Sequence, residues 1–453
     1  MSTTKTLALW MNGEFVGRWW SSRSGEARLE YAATWRESPR GRPLSLSLPF
    51  TANNETLRGE RVEAWFENLL PDSDAIRARI AARHRVSPRD AHALLGAIGR
   101  DCVGALQFAY DGEDPGRVDQ IIARPLSTAD VAERLLEIPA TIPFGSPPDD
   151  EDDFRISIAG AQEKTALLWH ADRWCVPQGT TPTTHIFKLP LGDVAAVKAD
   201  FSTSVQNEWL CLTVLRAMGL DTAESTIGQF SGPTGDMTAL IVTRFDRLRA
   251  QTDGREWIAR LPQEDCCQAT GTPADRKYER DGGPGIDGIL ELLAGSDRMH
   301  DDIRTFVLAQ LAFWLLAAPD GHAKNFSLAL RAGGRYTLTP LYDVLSAWPI
   351  IGHGPKQWHV SKVGLAMGVH GSKLYRLLNK IHVTHWKRLA DKTGVPNLFS
   401  AMVEMVEAVP DTLASVEPQL PADFPSRVWE AIRDGMLHQR TRFLGALHAN
   451  TET

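Results

Sequence analysis

The sequence predicts an α+β fold divided into more than one domain, and three observations carry that reading. Residues 1 to about 110 switch from strand-like alternation to a helical period, the middle is rich in short alternating runs, and from about 285 onward the pattern is mostly helical. At 453 residues the chain is too long for one typical core.

Each segment has its own signals. "TLALWMNGEFVGRWW" is two alternating runs joined by Asn12-Gly13, which predicts a tight hairpin. "ARLEYAATW" reads as a continuing strand. "ERVEAWFENLLPDSDAIRARIAARHRVSPRDAHALLGAIG" has a helical period, with Pro71-Asp72-Ser73 and Ser87-Pro88 as helix boundaries. These make an N-terminal α+β domain over 1–110. Residues 111–153 form a connecting segment. Its end, "IPATIPFGSPPDDEDD", combines prolines with an acidic run and predicts a solvated linker. Residues 154–260 are β-rich. Ile156-Ser157-Ile158 alternates, Ala159-Gly160-Ala161 is a small-residue turn, and "KTALLWHADRW", "THIFKLP" and "TALIVTRFDR" are strands. Among them "SVQNEWLCLTVLRAMGL" predicts a helix ending at Gly219. Residues 261–453 form the mainly helical last part.

Composition excludes several classes. A net charge of −7 argues against whole-surface affinity for nucleic acid or anionic membrane. The five cysteines show no CxxC pair and no metal spacing, which predicts reduced thiols in a cytoplasmic protein; adjacent Cys266 and Cys267 read as a local accident rather than a redox device. No signal peptide is visible, and the longest apolar run, 306–318, contains Gln310 and is too short to cross a bilayer. A buried helix and no membrane partner are expected. HExxH, GxSxG and GxxxxGK[ST] are all absent.

One chemistry fits the polar residues that remain. Phosphoryl transfer needs a loop over the phosphates, a cation on them, a carboxylate near the acceptor hydroxyl, and Mg²⁺ held by Asp and Asn. Ser157 to Ala161 supplies a loop that lets backbone approach an anion, although a plain hairpin turn would read the same. Lys188 sits in the apolar run "HIFKLP", with Glu208 on the next helix as its candidate ion-pair partner. An edge-strand lysine with its ammonium in water is the alternative. "DGHAKNFSLAL" places Asp320 and Asn325 at the D-x-x-x-x-N spacing of a kinase catalytic loop, and Asp343 follows in "LTPLYDVLSAWP". A single such pair is common, but the ordered set is specific. His322 could contact phosphate or be a structural imidazole.

Longer stretches carry a family resemblance. "RPLSLSLP", "FENLLPDS", "IGRDCVGAL", "DFRISIAGAQEKTALL", "TPTTHIFKLP", "RFDR", "RLPQEDCCQ", "DGGPGI", "DGHAKNFS", "YDVLSAWP" and "LAMG" make the chain resemble the HipA family of bacterial toxin–antitoxin kinases nearly end to end. The resemblance implies a divergent two-lobed protein-kinase-like fold related to phosphatidylinositol kinases, behind an N-terminal subdomain. It implies ATP and Mg²⁺ as cofactors. The implied activity is serine/threonine phosphorylation of an aminoacyl-tRNA synthetase, glutamyl-tRNA synthetase foremost, which arrests growth. The implied partner is a HipB-like helix-turn-helix antitoxin, through which operator DNA is mainly met.

The resemblance also assigns roles to positions. Asp320 matches the catalytic residue, and Asn325 and Asp343 match the metal ligands. Lys188 matches the phosphate-binding lysine. Ala159, Gly160, Ala161, Gln162, Glu163 and Lys164 match the phosphate loop. Thr243, Arg244 and Phe245 match an adenine-contacting hinge, with Gln263 nearby. His322, Ala323, Lys324 and Tyr342 line the same pocket, and Ser157 matches an autophosphorylated serine. Pro319 and Thr243 depart from the familiar pattern. "HWKRLADKTG" does not closely keep the basic positions with which a relative touches DNA, so direct DNA contact is not expected. A non-enzymatic co-repressor with the same fold is the competing reading, and the presence of all four catalytic positions argues against it.

Overall fold

The computed structural model describes residues 6–22, 24–138, 156–157, 162–194, 199–233 and 235–451. Packing divides the chain into two units that are discontinuous in sequence. The first comprises Met1–Leu189, Gly228–Arg276 and Ser327–Tyr336, and the second Pro190–Ile227, Lys277–Phe326 and Thr337–Thr453. This division differs from the contiguous segments 154–260 and 261–453. Helix Ser204–Ala217 has Leu210, Cys211, Leu212, Val214 and Leu215 all buried, and it packs in the second unit against Val409–Val416 and Met299–Leu316. Strand Gln263–Asp265 pairs with Ser327–Leu330 in the first unit.

In the first unit the predicted hairpin forms. Asn12 (φ 47°) and Gly13 (φ 84°) are both left-handed, and Met11 pairs with Glu14. Positive φ at both turn residues matches the twist of the flanking strands, which is why Asn-Gly works there. The strands are ordered Leu57–Arg58, Ala27–Tyr31, Glu14–Ser21, Leu7–Met11, Leu106–Tyr110. The strand beginning at Ala27 stops at Tyr31, and Ala33–Glu37 turns helical. Trp35 explains the change: it is buried and donates its indole N–H to Arg42 O. Helix Asp74–His84 starts at the expected boundary, capped by the Ser73 side chain, and Ala91–Ile98 starts three residues past Pro88, capped by Asp90. Leu7, Leu9, Trp19, Phe66, Leu95 and Phe108 share one core, in which Trp19 stacks on Phe66 at 3.9 Å.

A second sheet runs Ala123–Pro125, Arg173–Pro177, Lys164–His170, His185–Lys188, Gly235–Thr243, Ser225–Gly232. Helix Thr128–Glu137, started by a Ser127–Asp130 capping box, covers it, with Val131, Ala132 and Leu135 against Leu167 and Phe187. Part of the expected connecting segment is therefore built into the fold. The acidic–proline run from 139 to 153 lies outside the described residues.

The second unit is mainly helical. Its central helix, Met299–Leu316, is buried on nearly every side of its second half. Trp314 packs on Trp386 and Phe443 from helices Val383–Thr393 and Ser426–Thr451. A hairpin of Gly364–His370 and Leu374–Leu377 interrupts the helical run. No described helix is long and apolar enough to cross a membrane. All five cysteines are buried and unbridged, and Cys266 and Cys267 open the short helix Cys266–Thr270.

Candidate active site

The catalytic-loop stretch is set by the end of helix Met299–Leu316. Ala317 goes left-handed (φ 49°), and Ala318 N donates to Phe313 O, which closes the helix as a C-cap does. The chain then folds tightly on itself. His322 N donates to Asp320 O (2.7 Å), and a 3₁₀ turn, Ala323–Asn325, follows. A Cβ on Gly321 would lie 2.6 Å from the Phe313 ring, so only glycine fits this close approach. Phe326 anchors the far side against Phe306 at 4.9 Å.

Asn325 then joins the two expected acidic positions. Its Nδ2 donates to Asp320 O at 2.8 Å and to Asp343 O at 3.4 Å. With the amide nitrogen so committed, the amide oxygen is the end a cation would take. Asp343 has φ 60°, a left-handed conformation that aspartate tolerates better than most residues. Tyr342 donates its hydroxyl to Lys324 O (2.9 Å), and Lys324 and His322 are buried beside Ala323. Asp320 itself keeps 52% of its side chain exposed. Its Oδ1 accepts from the Tyr278 hydroxyl.

The loop after Asp343 is held by residues the sequence did not single out. Asn207 donates Nδ2 to Ser346 O (2.8 Å) and accepts from Ser346 N (2.9 Å). The Ser346 hydroxyl donates to Leu316 O at 2.5 Å, and Ala347 N to Ala317 O. The carbonyls that end the central helix thus tie down the aspartate-bearing loop.

Apart from Glu208, the remaining expected residues belong to the first unit. Lys188 lies on a central strand, not an edge, and is 7% exposed. It pairs directly across from Lys164, which puts both side chains on one sheet face. Phe187, on the opposite face, enters the core. Glu208, the expected partner of Lys188, is buried in helix Ser204–Ala217 of the second unit. Gln162 Nε2 donates to Leu189 O (2.5 Å), and Glu163 receives Arg79 Nη2 at 2.5 and 2.6 Å. Ser157 pairs through its backbone with Cys102. Ala159, Gly160 and Ala161 lie outside the described residues.

At the expected hinge, Thr243 ends its strand opposite His185, and Phe245 is half-buried. The Arg244 guanidinium between them is 2% exposed and bonded to Asp246 (2.8 and 2.9 Å), Thr183 Oγ1 and Cys102 O. Its backbone N–H goes to Thr184 O. Only its carbonyl is left for a ligand. Arg247 and Arg260 join Arg244 around Asp101. Burial would raise the Asp101 carboxyl, but the three arginines outweigh it and hold its pKa well below the usual range. Burial pulls the Arg260 pKa down to about 10. Gln263 donates Nε2 to Asp246, and its buried Oε1 has no hydrogen-bond partner among the described residues.

A model of the HipA N-terminal domain matches residues 7–109, and one of the HipA-like C-terminal domain matches 156–413. The chain belongs to the HipA family. Among HipA-family relatives, Y4mE of Sinorhizobium fredii, provisionally named a kinase, is 30% identical over 420 residues, 91% of this chain and 92% of its own. The serine/threonine-protein kinase toxin HipA of Shewanella oneidensis is 27% identical over 444 residues, 93% of this chain and 92% of its own. A solved Shewanella oneidensis MR-1 complex of HipA, HipB and operator DNA gives a TM-score of 0.78 at 23% identity, covering 99% of both chains. The α+β architecture is thus the HipA fold.

Proposed function

We propose that this HipA-family chain is a serine/threonine protein kinase that uses ATP and Mg²⁺. The observation that carries the reading is the Asn325 amide, which binds the main chain of both Asp320 and Asp343. The D-x-x-x-x-N spacing is thereby a folded unit rather than a coincidence of letters.

Each residue then has a role. Asp320, half in water, takes the proton of an acceptor hydroxyl. The Asp343 carboxylate and the Asn325 amide oxygen would hold Mg²⁺. Among the described residues no three His, Cys, Asp or Glu side chains form a metal cluster. A sparse set of one carboxylate and one amide suits Mg²⁺, which keeps waters and phosphate oxygens as its other ligands. When bound, the ion supplies positive charge against the phosphate oxygens. Lys164 and Lys188 are cross-strand neighbours on one sheet face, which lets both ammonium groups address the same phosphates. The backbone of Thr243 to Phe245 and the Gln263 amide oxygen contact adenine, while His322, Ala323, Lys324 and Tyr342 line the pocket.

The finer reading follows the family resemblance in the sequence. The acceptor is an aminoacyl-tRNA synthetase, most of all glutamyl-tRNA synthetase, whose inhibition stalls translation. Ala159 to Lys164 cover the phosphates, and Ser157 is autophosphorylated. The phosphoserine charge at the mouth of an anion-binding loop would then repel ATP. A HipB-like antitoxin binds the chain, as HipB accompanies HipA and operator DNA in the Shewanella oneidensis complex, and operator DNA is met mainly through it.

Radiolabelled ATP with the purified chain and Mg²⁺ tests the core claim. Asp320→Ala should lower transfer by several orders of magnitude, because positioning and electrostatics supply most of the rate. Equal labelling of both proteins would sink the kinase reading and favour a non-enzymatic co-repressor.

A further inference from the structure

The segment "RKYERDGGPGI" before helix Ile286–Leu293 has no role in the functional reading above, yet it reaches the catalytic carboxylate. Tyr278 donates its hydroxyl to Asp320 Oδ1. His322 Nε2 stands 4.0 Å from that same oxygen, and its ring meets Tyr278 edge-on at 4.9 Å. The chain's own groups therefore crowd one carboxylate oxygen, Oδ1.

Tyr278 is itself held from several sides. Lys277 Nζ and Arg280 Cζ lie 5.6 and 5.0 Å from the centre of its ring. Its carbonyl accepts from Asp281 N and Gly283 N, both at 3.0 Å, while Ala323 N of the catalytic turn donates to Lys277 O. The neighbouring Glu279 is pinned to the hairpin. It accepts from Gly368 N (2.8 Å) and from Arg376 Nε and Nη2 (3.1 and 2.8 Å). A carboxylate half in water would otherwise sample several rotamers.

We infer that Tyr278 is a positioning residue for phosphoryl transfer: its hydroxyl fixes Asp320 through Oδ1 so that Oδ2 faces the acceptor hydroxyl. The inference rests on the kinase reading. In the step it serves, the acceptor oxygen bonds the γ-phosphorus, the bond to ADP breaks, and the acceptor proton passes to Oδ2. Glu279 and Arg376 act one step further back, by holding the segment that carries Tyr278.

The test is Tyr278→Phe, which keeps the ring and its cation contacts and removes only the donor. Wild type, Tyr278→Phe and Asp320→Ala are assayed with ATP, Mg²⁺ and myelin basic protein as a generic acceptor. The kcat of Tyr278→Phe should fall about tenfold to a hundredfold, as small misplacements of reacting groups do. Its KM for ATP and its melting temperature should not move. Glu279→Gln should give a smaller fall in kcat. A kcat for Tyr278→Phe that is unchanged overturns the inference, and one that rises shows instead that the hydroxyl blocks the acceptor. A fall accompanied by a changed KM for ATP and a lowered melting temperature reduces Tyr278 to a structural residue and also overturns it. A wild type no more active than Asp320→Ala overturns the kinase reading itself, and the inference with it.

Discussion

Asp101 in the first unit and Asp320 in the second are treated in opposite ways by the fold. The Asp101 side chain is 6% exposed, receives Thr183 N and Oγ1, and sits among Arg244, Arg247 and Arg260. The Asp320 side chain is 52% exposed and receives Tyr278 on one oxygen. An acceptor whose lone pairs are filled and buried can do little but hold structure. One left open to solvent on a rigid loop can exchange a proton. Saturation by partners, more than the residue type, separates the architectural aspartate from the one proposed for the chemistry.

That contrast can be broken most sharply by paired substitutions. Asp101→Asn should cost about 3–5 kcal/mol in urea unfolding, because it leaves buried arginines short of a counter-charge. Asp320→Asn should leave stability within about 0.5 kcal/mol, as surface changes usually do, while transfer collapses. Similar unfolding midpoints for the two variants would erase the distinction.

Glu264 gives a smaller effect with a defined pH sign. Burial pushes its carboxyl from the ordinary 4.5 up to about 8, although Leu46 N and Trp65 Nε1 donate to it. The native state thus holds a proton that the unfolded chain releases. The stability this group contributes is full below about 4.5 and is lost as pH rises through about 8. Glu264→Gln should flatten that decline, which urea unfolding at mildly acidic and mildly alkaline pH would register. An undiminished slope in the variant would place the titration elsewhere.

The weakest contrast lies at Arg79 and Glu163, a pair with side chains 23% and 29% exposed. Arg79→Gln should cost less than about 1 kcal/mol, and the loss should shrink in high salt. A salt-independent loss of several kcal/mol would move this pair into the class of Asp101.

Some of this was legible in the sequence because the signal was local. Asn12-Gly13 specified its own turn, Ser73 its own helix start, and Asp320 and Asn325 close within one loop. Lys188 could be placed on a strand but not at its centre, since strand order is not written in a short window. The partners of Asp101 lie more than a hundred residues away, at Arg244 and Arg247. Asn207 and Ser346 are 139 apart, and Tyr278 and Asp320 are 42 apart. No spacing rule reaches them. For the same reason the sequence did not show that the Arg244 guanidinium is buried among Asp101, Asp246 and Thr183.

The left-handed backbone at Asp343 has an evolutionary corollary. An L-residue pays about 1 kcal/mol for that conformation and glycine pays almost nothing, so Asp343→Gly would relieve the backbone while removing the carboxylate proposed for the ion. Lineages in which the proposed activity became a burden would find in this position a route to silence that the backbone does not oppose.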